Sequence, residues 1–120
     1  MKYMLLIYEN EAEWDALTEA QQGAEMREYL RFTDDIRQTG NYVSQVPAAP
    51  LAPTTTSTTV RVRNGKTMLT DGPFAETREQ LGGFYLVEAA NADDAIALAA
   101  RLPGARRGSV EVRPFSTNLG

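Results

Sequence analysis

Two short segments of this chain are apolar on both alternating faces, which limits the folds that it can adopt. Residues 2–8 and residues 84–88 both show this pattern. Such a strand is buried on two sides and lies inside a sheet. A chain of 120 residues has the length of one domain, so we assign residues 1–120 to a single domain. Its own helices can cover only one sheet face. We therefore predict that a second copy covers the other face.

Local sequence signals predict two helices. Thr18 and Gln21 have the spacing of a capping box, and Gly40 is a natural stop after about Thr39. The apolar stripe of this helix contains Met26, Tyr29, Leu30, Thr33 and Ile36. A shorter helical turn follows Asn10, with Glu13 at capping distance. The second long helix begins at Asn91 and is expected to be buried through Ala95, Ile96, Ala99 and Leu102.

The remaining strands complete the predicted fold. Asn64-Gly65 lies between alternating segments and predicts a β-hairpin with a type I′ turn. Tyr42, Val43 and Val46 suggest a strand before the proline-containing loop, and residues 109–113 suggest the last strand. The order β-α-β, hairpin, β-α-β favours a ferredoxin-like α+β fold with an added hairpin and both helices on one face of an antiparallel sheet. Two sheets facing each other would form a dimeric α+β barrel with a cavity where they fail to close.

Composition excludes several classes of function. The chain has no His and no Cys, which excludes thiolate nucleophiles, Ser-His-Asp catalysis and the usual zinc sites. The formal net charge of −4 does not favour nucleic-acid binding, and no apolar run is long enough to span a bilayer. We read the apolar start as a strand rather than a signal peptide. We therefore expect a cytoplasmic protein with neither a cofactor nor a metal.

Three motifs resemble the DGPF type of YCII-related proteins: TDGPFAET at residues 70–77, EQLGGFY at 79–85 and GSVEVRP at 108–114. The segments KYMLLI at residues 2–7 and DDA at 93–95 also fit. The resemblance implies a dimeric α+β barrel and a family of suspected enzymes, related in fold to muconolactone isomerases and cofactor-free monooxygenases. The resemblance also implies that the protein is encoded beside an extracytoplasmic-function sigma factor and has a regulatory context. One branch has a catalytic His where this chain has Tyr29, and many relatives have a His near Arg107. A His-Asp dyad is therefore not carried over.

Three residues are candidates for catalysis, each with a structural alternative. Asp71 is a possible general base, or it only caps backbone N–H groups in an Asx-turn. Tyr29 is a possible hydrogen-bond donor or acid, or a core tyrosine with a bonded hydroxyl. Arg113 is a possible anion stabiliser, or it forms a surface ion pair with Glu111 or Glu88.

Phe74, Tyr85 and Glu76 are candidates for substrate binding. Phe74 is most simply an apolar plug that holds its loop to the core, and Tyr85 lines the cavity or packs in the dimer interface. Glu76 and Glu79, with Asp71, form an acidic group that could bind Mg²⁺ or Ca²⁺, although a solvated loop is the simpler interpretation. Three basic residues near the second helix, Arg101, Arg106 and Arg107, complement its dipole.

Two functional hypotheses follow. The first is a cofactor-independent enzyme that binds a small molecule in a cleft of the dimer and catalyses isomerisation, lactone chemistry or proton transfer beside a carbonyl. The second is a non-catalytic module, which senses a ligand or binds a protein in a sigma-factor circuit. A polar cavity that contains Asp71 and Tyr29 would favour the enzyme, whereas an exposed apolar patch would favour the module.

Overall fold

The computed structural model describes residues 1–43 and 50–116. The strands and helices have the following bounds: β1 Lys2–Glu9, α1 Glu11–Asp15, α2 Glu19–Gln38, β2 Thr58–Arg63, β3 Lys66–Asp71, β4 Gln80–Glu88, α3 Ala92–Ala100, α4 Gly104–Arg107 and β5 Ser109–Pro114. A single 3₁₀ turn at Thr54–Thr56 precedes β2.

The main sheet has three antiparallel strands in the order β4-β1-β5. The first strand of the chain is thus the central one, as its two apolar faces predict. The ladder between β1 and β4 is regular except at one bulge, where Ile7 pairs with Gly83 and Tyr8 pairs with Leu81. Gly82 is the extra residue, and it lies where the sheet borders the cavity described below.

The core lies between one face of this sheet and the helices α2 and α3. Leu5, Ile36, Val87 and Leu102 are almost fully buried there, and the phenyl ring of Phe32 packs edge-to-face on Tyr85 with 5.2 Å between ring centroids. The architecture is a mixed α+β fold with antiparallel sheets, consistent with a ferredoxin-like arrangement.

Helix α2 begins and ends as the sequence predicts. The Thr18 hydroxyl accepts a hydrogen bond from the backbone N–H of Gln21, and the Gln21 side chain accepts one from the N–H of Thr18. Gly40 follows the helix with a φ of 80°, a conformation that glycine adopts without steric cost. Asn10 caps α1 in the predicted way through the N–H of Glu13.

The predicted apolar stripes are wrong at two positions. Leu30 is 61% exposed because it lies at the cavity and not under the sheet core. Ile96 is 53% exposed because α3 turns the small residues Ala95 and Ala99 toward the sheet instead. Phe32, which the predicted stripe omits, is buried.

The opposite face of the sheet keeps much of its apolar surface accessible. Met4 and Leu6 of β1 and Phe84 and Leu86 of β4 are only partly buried. A shallow depression of about 270 Å³ lies on this side and is lined by Met4, Leu6, Arg113, Pro114 and Phe115. We call this surface the open sheet face.

The hairpin of β2 and β3 forms a separate two-stranded sheet. Asn64 and Gly65 have φ values of 51° and 73°, which confirms the predicted turn. Most of its side chains are exposed, including Val60, Val62 and Leu69. The radius of gyration is 16.2 Å, against about 14 Å expected for a compact domain of this length.

The strand predicted around residues 42–46 is described only in part. Tyr42 forms an isolated antiparallel bridge with Val87, and the N–H of Val43 donates to the carbonyl oxygen of Leu86 at 3.2 Å. Val46 lies outside the described residues. Across residues 1–43 and 50–116, no helix has the length and apolar character needed to cross a membrane.

Candidate functional site

A cavity of about 590 Å³ opens beside α2, at the end of the main sheet where the β-bulge lies. Most of its wall is apolar, with contributions from Ile7, Trp14, Met26, Leu30, Pro50, Leu51, Pro53 and Phe84. The polar and aromatic hydroxyl-bearing residues of the wall are Glu9, Glu11, Asp15, Tyr29, Thr33, Thr55, Gln80 and Tyr85. We call this space the Tyr29 cavity.

One side of the cavity is formed by residues 50–55, which are held in place by hydrogen bonds. The carboxylate of Glu11 accepts one bond from the backbone N–H of Thr54 at 2.9 Å and a second from its hydroxyl at 2.8 Å. The N–H of Leu51 donates to the carbonyl oxygen of Gly82 at 2.8 Å. The N–H of Glu11 in turn donates to the side chain of Gln80. Residues 50–55 therefore form one wall of the cavity.

Tyr29 lies at the polar end of the cavity between a carboxylate and a backbone amide. Its hydroxyl donates to Oε1 of Glu9 at 3.1 Å and accepts from the N–H of Gly104 at 3.0 Å. Burial, reinforced by the negative charge of Glu9, raises the pKa of the Tyr29 phenol well above its ordinary value of 10.0. The phenol is therefore a neutral hydrogen-bond donor across the physiological pH range.

Arg107 connects this pair to the rest of the fold. Its guanidinium contacts Oε2 of Glu9 at 3.2 Å and forms a two-point contact with the Glu25 carboxylate at 2.7 Å for each bond. It also lies over the ring of Trp14, with 5.5 Å to the centroid. The side chains of Arg107, Glu9 and Glu25 are all less than a quarter exposed, so this network is partly shielded from water.

Tyr85 completes the buried side of the cavity. Its hydroxyl and that of Thr33 lie 2.9 Å apart and share a hydrogen bond, and Thr33 also donates to the carbonyl oxygen of Tyr29. Burial raises the pKa of the Tyr85 phenol. The structure therefore brings two of the six candidate residues, Tyr29 and Tyr85, into one cavity.

The other four candidates lie elsewhere in this chain. Asp71 ends β3 and is exposed, Glu76 is exposed in the turn that follows, and neither lines the Tyr29 cavity. Phe74 is 80% exposed, so the predicted plug against the core is wrong. Arg113 pairs with Glu111, the surface alternative given above, and lines the depression on the open sheet face.

The sequence analysis missed Glu9 and Glu25 and assigned Arg107 only to the helix dipole. Glu9 and Arg107 are 98 positions apart in the chain, so no local spacing reveals their contact. The available signals were a charged residue at the end of an otherwise apolar strand and a cluster of arginines facing an acidic helix. The other two arginines of that cluster also pair with α2: Arg101 with Asp35 at 2.6 Å and Arg106 with Glu28 at 2.9 Å.

Within the described residues, no three side chains of the His, Cys, Asp and Glu types are grouped so that they could hold a metal ion. Glu79, part of the acidic group near Asp71, instead accepts a hydrogen bond from the hydroxyl of Ser109 at 2.9 Å.

The fold and the cavity define the class: a small α+β protein with an open, largely apolar cavity beside its long helix. The chain belongs to the YCII-related domain family, whose family model matches residues 1–117. It is also 38% identical over 118 residues to an uncharacterised protein of Rhizobium meliloti (strain 1021), a match that covers 97% of this chain and 93% of that protein. The predicted resemblance to YCII-related proteins is confirmed.

Proposed function

We propose that this protein binds a small organic molecule in the Tyr29 cavity. The observation that carries the proposal is one space of about 590 Å³ with apolar walls and a hydrogen-bonded Tyr29–Glu9 pair at one end. Ligand sites commonly have volumes of about 300–1,000 Å³, mostly apolar walls and a few polar groups that fix orientation. The apolar body of the ligand would contact Met26, Leu30 and Leu51, and its polar group would face Glu9.

A cofactor-independent proton transfer fits the same cavity. Glu9 is the carboxylate nearest to the buried phenol of Tyr29, so it would act as the base, with Tyr29 orienting it through the bond at 3.1 Å. Isomerisation, lactone chemistry and proton transfer beside a carbonyl all require such a group. In this proposal Glu9 has the role that the sequence suggested for Asp71, because Asp71 does not line the cavity.

The test is a thermal-shift screen of the purified protein against a metabolite library, repeated with a cavity-filling variant, Met26→Trp. A ligand at 100 times its Kd stabilises the native state by about 2.7 kcal/mol. We expect hits on the wild type that Met26→Trp abolishes. The matched control is Leu69→Trp, which adds the same ring to an exposed hairpin position and should retain the hits. Equal shifts in both variants, or no hit at all, would contradict the proposal.

We also propose that two copies pair through the open sheet face to form the dimeric barrel. Support comes from the apolar side chains of Met4, Leu6, Phe84 and Leu86, which two facing sheets would bury as in a sheet sandwich. Sedimentation should give a mass of twice 13.2 kDa for the wild type. Leu86→Glu should shift the equilibrium toward the monomer. The control Ile96→Glu, at an exposed site on α3, should remain a dimer. A monomeric wild type would exclude this arrangement.

The non-catalytic alternative has one specific observation in its favour. Large apolar side chains are exposed on one face of the hairpin, those of Val60, Val62 and Leu69, and Phe74 is exposed in the turn that follows. A protein partner, such as a member of a sigma-factor circuit, would bury this surface. Affinity capture with wild type and with a Leu69→Lys, Phe74→Ser double variant tests it. A partner that both baits recover equally would argue against the hairpin as the binding surface.

We assign the protein to the cytoplasm as part of the same proposal. Its apolar N-terminal stretch is the central strand β1, with Leu5 completely buried, so this stretch serves the fold. Fractionation of cells that express a tagged protein tests the assignment, and recovery in a membrane or external fraction would overturn it.

A further inference from the structure

The ionisable side chains that line the Tyr29 cavity are all acids. They are Glu9, Glu11, Asp15, Tyr29 and Tyr85, and neither Lys nor Arg is among the described lining residues. Residues 44–49 and 117–120, whose placement is not described, contain no Lys, Arg or His either. No part of the chain outside the described residues can therefore supply a positive charge to the cavity.

The carboxylates around the cavity exceed the cations that neutralise them. Among the described residues, Arg107 is the one guanidinium that forms an ion pair with Glu9, and it also pairs with Glu25. The carboxylate of Glu11 accepts its two bonds from Thr54, which is neutral, and it has no ion-pair partner. Asp15 is exposed at the cavity rim. Of the three wall carboxylates, Glu9, Glu11 and Asp15, only Glu9 pairs with a guanidinium among the described residues, and that guanidinium is also bound by Glu25. The wall therefore has a net negative charge.

The aromatic rings of the cavity wall, like its negative charge, favour a positively charged ligand. Trp14, Tyr29 and Tyr85 all contribute to the wall, and the faces of such rings attract cations. The Trp14 ring already holds the guanidinium of Arg107 at 5.5 Å from its centroid. A ligand carboxylate would meet only these groups and the carboxylates, with no positively charged side chain on the wall to bind it.

We infer that the ligand of this cavity is an organic cation, an ammonium group on an apolar or aromatic body. The inference rests on the proposed small-molecule function and names its ligand class. The ammonium group would lie near Glu9 and Glu11, where the carboxylate oxygens keep lone pairs free after their protein hydrogen bonds, and the apolar body would lie against Met26 and Leu51. Carboxylates and other organic anions would be excluded.

The test uses three probes of similar size that share a phenyl ring: 2-phenylethylamine, 2-phenylethanol and 3-phenylpropionate, measured by isothermal titration calorimetry. We expect the amine to bind at least tenfold more tightly than the carboxylate, with the alcohol between them. The advantage of the amine should shrink when NaCl is raised from 20 mM to 500 mM, because salt screens partly exposed charges.

Variants that neutralise one carboxylate at a time show which carboxylates cause the tighter binding of the amine. Glu11→Gln and Asp15→Asn should each weaken amine binding several-fold and leave alcohol binding unchanged. Glu11→Gln keeps an oxygen acceptor for Thr54, and Asp15 is exposed, so both variants should fold. The control Glu76→Gln removes an exposed carboxylate outside the cavity and should have no effect.

The outcomes separate the two proposals. If the alcohol binds and the amine binds no more tightly than the carboxylate, the cationic ligand class is wrong while small-molecule binding stands. If none of the three probes binds and the metabolite screen also gives no hit, the small-molecule function itself fails. If the amine advantage survives in both Glu11→Gln and Asp15→Asn, the preference does not come from this charge arrangement.

Discussion

Replacing Gly104 by Ala should destabilise the protein, although alanine is the better helix former. Gly104 is the first residue of α4, and its backbone N–H donates to the Tyr29 hydroxyl. A Cβ atom added there would lie 2.5 Å from Cγ2 of Ile7, 2.8 Å from Oε1 of Glu9 and 3.0 Å from the Tyr29 hydroxyl. Ile7 belongs to the buried face of the central strand, so it cannot move aside without disturbing the sheet.

Three contributions determine how much Gly104→Ala lowers the free energy of unfolding. Overpacking of this kind costs about 1–3 kcal/mol. Displacing the Tyr29 hydroxyl from Glu9 and Gly104 costs roughly another 1 kcal/mol. The helix propensity of alanine returns at most about 1 kcal/mol. We therefore expect Gly104→Ala to lower the free energy of unfolding by about 2 kcal/mol, equivalent to a decrease in Tm of roughly 8 °C for a domain of this size.

The assay is urea unfolding at a fixed protein concentration, followed by far-UV circular dichroism and by the fluorescence of the single tryptophan, Trp14. Gly82→Ala is the matched control, because no atom lies within 4 Å of a Cβ built there. It should change stability by less than about 0.5 kcal/mol. If Gly104→Ala is as stable as Gly82→Ala, the close approach of α4 to the Tyr29–Glu9 pair is not a constraint and the reasoning fails.

Two further predictions concern Tyr29 and the hairpin. Because the folded-state pKa of Tyr29 is raised above 10, its phenol ionises first in the unfolded state, and stability should fall as pH rises above about 10. Urea unfolding should show a fall between pH 9 and pH 11 that is about 1 kcal/mol smaller in Tyr29→Phe; equal falls would exclude this linkage. Gly65→Ala places a side chain at a φ of 73°, so hydrogen exchange of the β2 and β3 amides should accelerate about tenfold. The β1 amides should exchange at the wild-type rate, and a loss of their protection would show that the hairpin and core unfold together.

Features encoded within a few residues of the chain were predictable. The capping box at Thr18 and Gln21 and the turn at Asn64-Gly65 depend on backbone preferences of adjacent positions, and the structure has both. The helix period shows which side of α2 faces the core, but it does not show how far along the helix the sheet extends. The period also does not show where a cavity lies along the helix, and Leu30 was predicted to be buried although it lines the cavity and is 61% exposed.

The cavity was predictable only in part, because its polar groups come from distant positions. Tyr29 was identified as a candidate through the family motif, but its partners Glu9 and Gly104 are 20 and 75 positions away. Their meeting depends on how α2 and α4 approach the end of β1. For Asp71, the local turn was predictable from the sequence. The placement of the hairpin relative to the main sheet was not, and this placement keeps Asp71 out of the cavity.

The separate hairpin has a consequence for the behaviour of the protein at high concentration. In a two-stranded sheet each strand has one hydrogen-bonding edge outside its pair, and such edges can recruit strands from other molecules into ordered aggregates. Arg61, Arg63 and Lys66 concentrate positive charge at its tip, so hairpins from two molecules repel each other there. These cations therefore oppose edge-to-edge pairing of hairpins from two molecules, and a polyanion that neutralises them would remove this repulsion.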